Sequence, residues 1–175
     1  MTKTQINRIT NILNAVNKAE KAIFKISNDT VTMTADGYVG WEFPMEILNQ
    51  TEAETPAERG SNLIENTLNE CANYTDTHIN AKEFLAELKA IYKEKKKTDP
   101  LYTKTPYIIK YNDEYYGFRI SLLIEVFETL GTKSEIFISG NKYKPLYIKS
   151  DIGRAVLLPV RVFDNTSESR VNKII

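Results

Sequence analysis

The chain has 175 residues, 23 basic against 23 acidic side chains, and 42% hydrophobic residues. That length supports one ordinary domain or two small ones, burying about 70% of the unfolded surface, and the apolar content excludes global disorder. The balanced charge excludes a protein that coats nucleic acid by a general basic excess, though it leaves room for local basic faces.

In chain order, residues 5–20 place Ile6, Ile9, Ile12, Leu13 and Val16 on one helical face and Asn7, Asn11, Asn14 and Lys18 on the other. "AIFKIS" and "TVTMTADGY" read as two strands joined at Asn28-Asp29, and "YVGWEF" continues the sheet to Pro44. Residues 45–61 are polar and acidic, with Pro56 and Gly60, and read as a loop or insertion. A short helix is expected over residues 62–73, and "THINA" is a short strand candidate. The clearest helix is "KEFLAELKAIYKEKKK". Its stripe is Phe84, Leu85, Leu88, Ile91 and Tyr92, while Lys82, Lys89, Lys93 and Lys96 fall near one line elsewhere. Pro100 and Pro106 break the chain before a hairpin, "YIIKYNDEYYGFRI", with Asn112-Asp113 near its turn. "SLLIEVFETLG" is a helix ended by Gly131, and the strands "SEIFIS", "KPLYIKS" and "RAVLLPVRV" follow. Strands arriving in meanders between helices favour α+β over a doubly wound sheet.

Signs of catalysis are sparse. The seven glycines are scattered, and no phosphate-binding loop is present. Cys71 is the single cysteine, so neither an intramolecular disulfide nor a cysteine-rich metal site is available. His78, the one histidine, reads as an ordinary surface side chain. The pairs Asp113-Glu114 and Glu125/Glu128 have no convergent partners for acid–base work. We expect no enzyme, no cofactor and no metal. The N-terminus lacks a signal peptide's apolar core, and no run of about 18 apolar residues occurs. A cytoplasmic protein without membrane contact is expected. The lysine face of residues 82–97 has two readings, a solvated helix face or a row of phosphate contacts, and spacing alone leaves both open.

Taken together, three stretches resemble the bacterial DNA polymerase sliding clamp, the polymerase III β subunit family. The strongest is "YYGFRISLLIEVFETLGTKSEIFISGNKYKPLYIKSDIGRAVLLPVRV", residues 115–162, similar to the final half-domain of a clamp. "AIFKISNDTVTMTADGY" is similar to clamp strands with an Ala-Thr-Asp-like turn, here Thr34-Ala35-Asp36. "THINAKEFLAELKAI" is similar to the strand entering a clamp's second helix. The chain is too short for the three domains of a bacterial clamp, and residues 45–75 match nothing in the family's pattern.

The resemblance implies helices lining a hole around duplex DNA and sheets forming the outer wall. Arg8, Lys18, Lys82, Lys89, Lys93 and Lys96 are then the expected DNA contacts, although Glu125 and Glu128 suit a lining poorly. It also implies a partner-peptide pocket at the closing strand, carried here by Val156, Leu158, Pro159, Val160 and Arg161, for DNA polymerase or other clamp-binding proteins. Two clamp-like units are expected, 1–98 with an insertion at about 45–75 and 99–164, followed by a flexible tail, 165–175. Ring closure would need a homo-oligomer of three or four copies. The alternative is a monomeric clamp-like interaction or inhibitor protein, of phage or plasmid origin, that does not encircle DNA.

Overall fold

The computed structural model describes residues 1–98, 106–162 and 171–175. Helix α1 (Lys3–Lys18) begins at a reciprocal cap: Thr2 Oγ1 accepts the Gln5 N–H, and Gln5 Oε1 accepts the Thr2 N–H at 2.8 Å. Its buried residues are Ile9, Ile12, Leu13 and Val16, all on the stripe read from periodicity. Strands β1 (Ile23–Ser27) and β2 (Thr30–Thr34) form a hairpin through Asn28 at φ 52°, a left-handed conformation that Asn tolerates. Strand β3 (Val39–Pro44), the short helix α2 (Met45–Leu48), helix α3 (Leu63–Glu70), strand β4 (Thr75–Asp76) and helix α4 (Ala81–Thr98) follow. The second half holds β5 (Pro106–Tyr111), β6 (Glu114–Arg119), α5 (Ile120–Leu130), β7 (Glu135–Ile138), β8 (Leu146–Ser150), β9 (Gly153–Leu157) and β10 (Lys173–Ile174).

The larger sheet runs β1-β2-β3-β9-β8-β7-β4, antiparallel at every pairing. The class is α+β. On one face lie α1, α5 and α4, with α5 in the middle against both neighbours and over β9. Strand alternation decides what meets them: Val31, Met33, Trp41, Phe43, Ala155 and Leu157 join the helices in one core. Val156 and Tyr147, one residue out of phase, point to the other face and pack with Ile64, Leu68 and Cys71. Beside them Arg154 makes a two-pronged bond to Glu42, at 2.7 and 2.6 Å, across the β3–β9 pairing.

Residues 45–75, for which no family counterpart was expected, have two roles here. Arg59 and Phe24 exchange main-chain hydrogen bonds at 2.8 and 3.0 Å, and Glu58 accepts the Ile26 N–H at 2.9 Å, so this segment closes the β1 edge. Helix α3 then covers the sheet face opposite the three long helices.

Two expected strands end elsewhere. The strand at "THINA" is instead β4, one step upstream. Asp76 Oδ1 accepts the His78 N–H at 2.9 Å and Asn80 Oδ1 accepts the Lys82 N–H at 3.0 Å, so the side chains turn the backbone into α4. The closing strand 154–162 stops at Leu157, because Pro159 has no N–H to continue a ladder. Beyond it, the Leu158 N–H donates to the Tyr38 carbonyl at 2.9 Å and the Val160 N–H to the Gly117 carbonyl at 2.8 Å. The segment thus passes from the larger sheet to β6.

The smaller sheet is ordered β10-β5-β6. Pro100 and the start of the expected unit 99–164 lie outside the described residues, as do residues 165–170 of the expected flexible tail. The tail's described part is placed: Lys173 and Ile174 pair parallel with Ile109 and Lys110.

Candidate nucleic-acid face and partner groove

The cations expected to meet phosphates lie on α1 and α4, Arg8 half-buried and Lys18, Lys82, Lys89, Lys93 and Lys96 exposed. Helix α5 sits in the middle because Leu123, Val126, Phe127 and Leu130 bury its stripe, which leaves Glu125 and Glu128 facing its neighbours. Glu128 accepts Lys89 of α4 at 2.7 Å and also Arg8 of α1, with its own side chain 16% exposed. Two of the six expected DNA contacts are therefore engaged by one carboxylate. Burial pushes the Glu125 carboxyl up, against the pull of Arg8 and with the repulsion of Asp36 and Glu128. Lys18, Lys82 and Lys93 are exposed and have no ion-pair partner among the described residues. Lys96 is exposed, with its Nζ 5.6 Å from the Tyr92 ring centroid. Asn7, Asn11 and Asn14 form an exposed amide row along α1. Lys95, Lys96 and Lys97 also end α4, where cations favour the helix dipole whether or not DNA is present.

The other candidate lies across the sheet. A groove of about 410 Å³ is walled by Leu63, Ile64 and Thr67 of α3, by Ile23, and by Val156 and Leu158, with Lys21 and Asp36 at its rim. Leu63 and Leu158 are 58% and 41% exposed, a pair of apolar tips left open to solvent. Gly40 lies in its floor, where a Cβ would come 2.9 Å from both Ile64 Cδ1 and Val156 Cγ2. Of the five expected pocket residues, Val156 and Leu158 come together here. Pro159 and Val160, half-buried, and exposed Arg161 follow along the strip to β6, outside the groove's lining. The α3 wall escaped the sequence reading. Its signal was available: Leu63 is a large apolar residue lying off the buried Ile64/Leu68 stripe.

Other chemistry is thin. Among the described residues no group of three or more His, Cys, Asp and Glu could hold a metal ion, and no helix is long and apolar enough to cross a membrane. Cys71 is buried, and burial pushes its thiol up, which favours the unreactive form.

No protein-family model and no curated protein matches the sequence. Among solved structures the chain is similar to a crystal structure from Eubacterium rectale, provisionally described as a DNA polymerase III beta subunit, with a TM-score of 0.59 and 14% identity. The match covers 90% of this chain and 63% of that one, so the chain spans less than two thirds of its counterpart. At that identity the likeness establishes the fold: an α+β, β-clamp-like arrangement of helices on an antiparallel sheet.

Proposed function

We propose that the chain acts as a clamp-like platform in DNA replication or repair. In this reading the α1–α5–α4 face lies against duplex DNA through Arg8, Lys18, Lys82, Lys89, Lys93 and Lys96. The groove at Val156 and Leu158 takes the apolar anchors of a partner's short linear peptide, and three or four copies close a ring. One observation carries the proposal: the lysine-bearing helices and the apolar groove occupy opposite faces of one antiparallel sheet. DNA on the first face would leave the second open to a partner. Cations at helical spacing suit a phosphate contact without base readout, which sliding requires.

The test is retention on DNA. Full-length protein should show a mass of three or four chains by light scattering and stay on end-blocked DNA at salt that strips it from the same DNA with free ends. Equal loss from both would overturn encirclement.

A second reading has its own observation. Glu128 already engages Arg8 and Lys89, which lowers the positive potential at the middle of the helix face. This favours a monomeric clamp-like interaction protein that uses the groove alone. A monomer that binds a polymerase-tail peptide and leaves DNA untouched would select it.

A further inference from the structure

The groove at Val156 and Leu158 has a charged neighbour that its apolar lining does not explain. The bridge between Gly117 and Val160 is antiparallel, and the same register two residues on sets Arg119 opposite Leu158. Tyr38 ties the two together. Its carbonyl accepts the Leu158 N–H at 2.9 Å, and the Arg119 guanidinium lies 4.0 Å from its ring centroid. Both partners are fixed through the backbone. Asp36 Oδ1 accepts the Tyr38 N–H at 2.9 Å, which sets the turn that presents the ring. Arg119 pairs with Pro106 at the end of β6, and the next residue opens α5. What this guanidinium lacks is an acid. Arg8 meets Glu128 and Arg154 meets Glu42, whereas half-buried Arg119 bonds no helix group as a cap and makes no ion pair among the described residues.

A guanidinium stacked on a ring keeps its planar N–H edge free, and that edge matches a carboxylate in a two-pronged bond, as Arg154 makes with Glu42. Stacking also orders the side chain before any ligand arrives, so less freedom is lost on binding. We propose that Arg119, held on Tyr38 beside Leu158, sets the specificity of the groove by donating to the side-chain carboxylate of an Asp or Glu next to the apolar anchors of the docked peptide. The inference rests on the reading of the groove as a peptide site and adds the chemistry of its occupant, an acidic peptide with apolar anchors. Charge supports that choice: the rim residues Lys21 and Asp36 are of opposite sign, and Arg119 tips the balance to positive. The strip runs on past Leu158 through half-buried Pro159 and Val160 to exposed Arg161. The peptide therefore has surface to follow beyond the acid, which makes the acid a side chain and not a chain end.

Selection from a bead library of C-terminally amidated hexapeptides tests it, with full-length wild type, Arg119→Gln and Leu158→Asp as baits. Wild type should select apolar residues accompanied by Asp or Glu, and Arg119→Gln should select the same apolar residues without the acid. The best peptide should bind wild type about tenfold more tightly than its twin with the acid replaced by the amide, and Arg119→Gln should bind the two within about twofold. Equal acidic enrichment on both baits, or apolar selection without an acid on wild type, overturns the proposal. So does an acid preference that appears only when the library is remade with free carboxyl termini. Folding is checked by circular dichroism. If Arg119→Gln does not fold, the twin comparison on wild type decides, and a ratio below about twofold overturns the proposal. The two levels separate cleanly: binding that Leu158→Asp abolishes but that ignores the acid removes only the role of Arg119. No selection by wild type, or selection unchanged in Leu158→Asp, removes the peptide groove and this inference with it.

Discussion

Lys89 reaches Glu128 at 2.7 Å across the α4–α5 boundary, and the same carboxylate holds Arg8 from α1. The pair is a structural tie between three helices and, at the same spot, a competitor for any phosphate. Glu128→Gln keeps the shape and removes the competition. DNA binding should tighten, and the slope of log affinity against log salt should steepen by up to about 0.9 for each cation released. Stability should fall by about 1 kcal/mol, since Arg8 and Lys89 are 40% and 50% exposed. An unchanged salt slope would show that this face does not meet phosphate.

Leu158→Asp probes the groove. The side chain is 41% exposed, so the substitution should leave the fold within about 1 kcal/mol of wild type. Binding of a clamp-motif peptide should weaken by at least about tenfold, the effect of losing roughly 1.4 kcal/mol of apolar contact. Leu63→Asp, on the facing wall, should do the same. Calorimetric titration checks both, and wild-type affinity in either variant would remove the groove from the proposal.

Glu125 gives a pH signature. Burial holds its carboxyl above the ordinary value of 4.5, so the fold prefers its protonated form. That preference is fully present below the unfolded value and is lost as pH rises through the folded one. Glu125→Gln should therefore raise the melting temperature at pH 7, on the order of 2 °C, and leave it unchanged near pH 4. A rise of the same size at both values would assign the effect to packing.

Gly117 tests the tie between the sheets. A Cβ there would overlap Val162 Cγ2 and come within 3.1 Å of the Val160 carbonyl oxygen. Gly117→Ala should cost about 1–3 kcal/mol by pushing the closing segment off β6. Hydrogen exchange should show the Val160 amide losing protection while β8 and β9 keep theirs. A protected Val160 amide in the variant would mean that the strip adapts.

Much of the fold was legible because its elements advertise themselves locally. The α1 and α4 stripes, the Asn28 and Asn112 turns and the stop at Gly131 follow from periodicity and backbone preference. What stayed hidden depends on partners far along the chain. Helix α3 gained its meaning from Val156 and Tyr147, and Arg59 became an edge cover only against Phe24. Lys173 became a strand residue only beside Glu87. The lysine row on α4 was visible, but Glu128, the partner of Lys89 in that row, lies on a different helix, and no spacing within α4 encodes it. Of the groove, Val156 and Leu158 were read from the closing strand, Pro159, Val160 and Arg161 fall outside its lining, and the α3 wall went unread although Leu63 signalled it.

Pro159 interrupts a ladder, and the interruption joins two bodies of sheet. Leu158 is anchored to β3 through Tyr38, and Val160, two residues on, to β6 through Gly117. A ligand that presses on the Leu158 side chain therefore loads a short, stiff strap whose far end is the β5–β6 hairpin. The groove and the β5–β6 hairpin are thus three residues of backbone apart, from Leu158 to Val160.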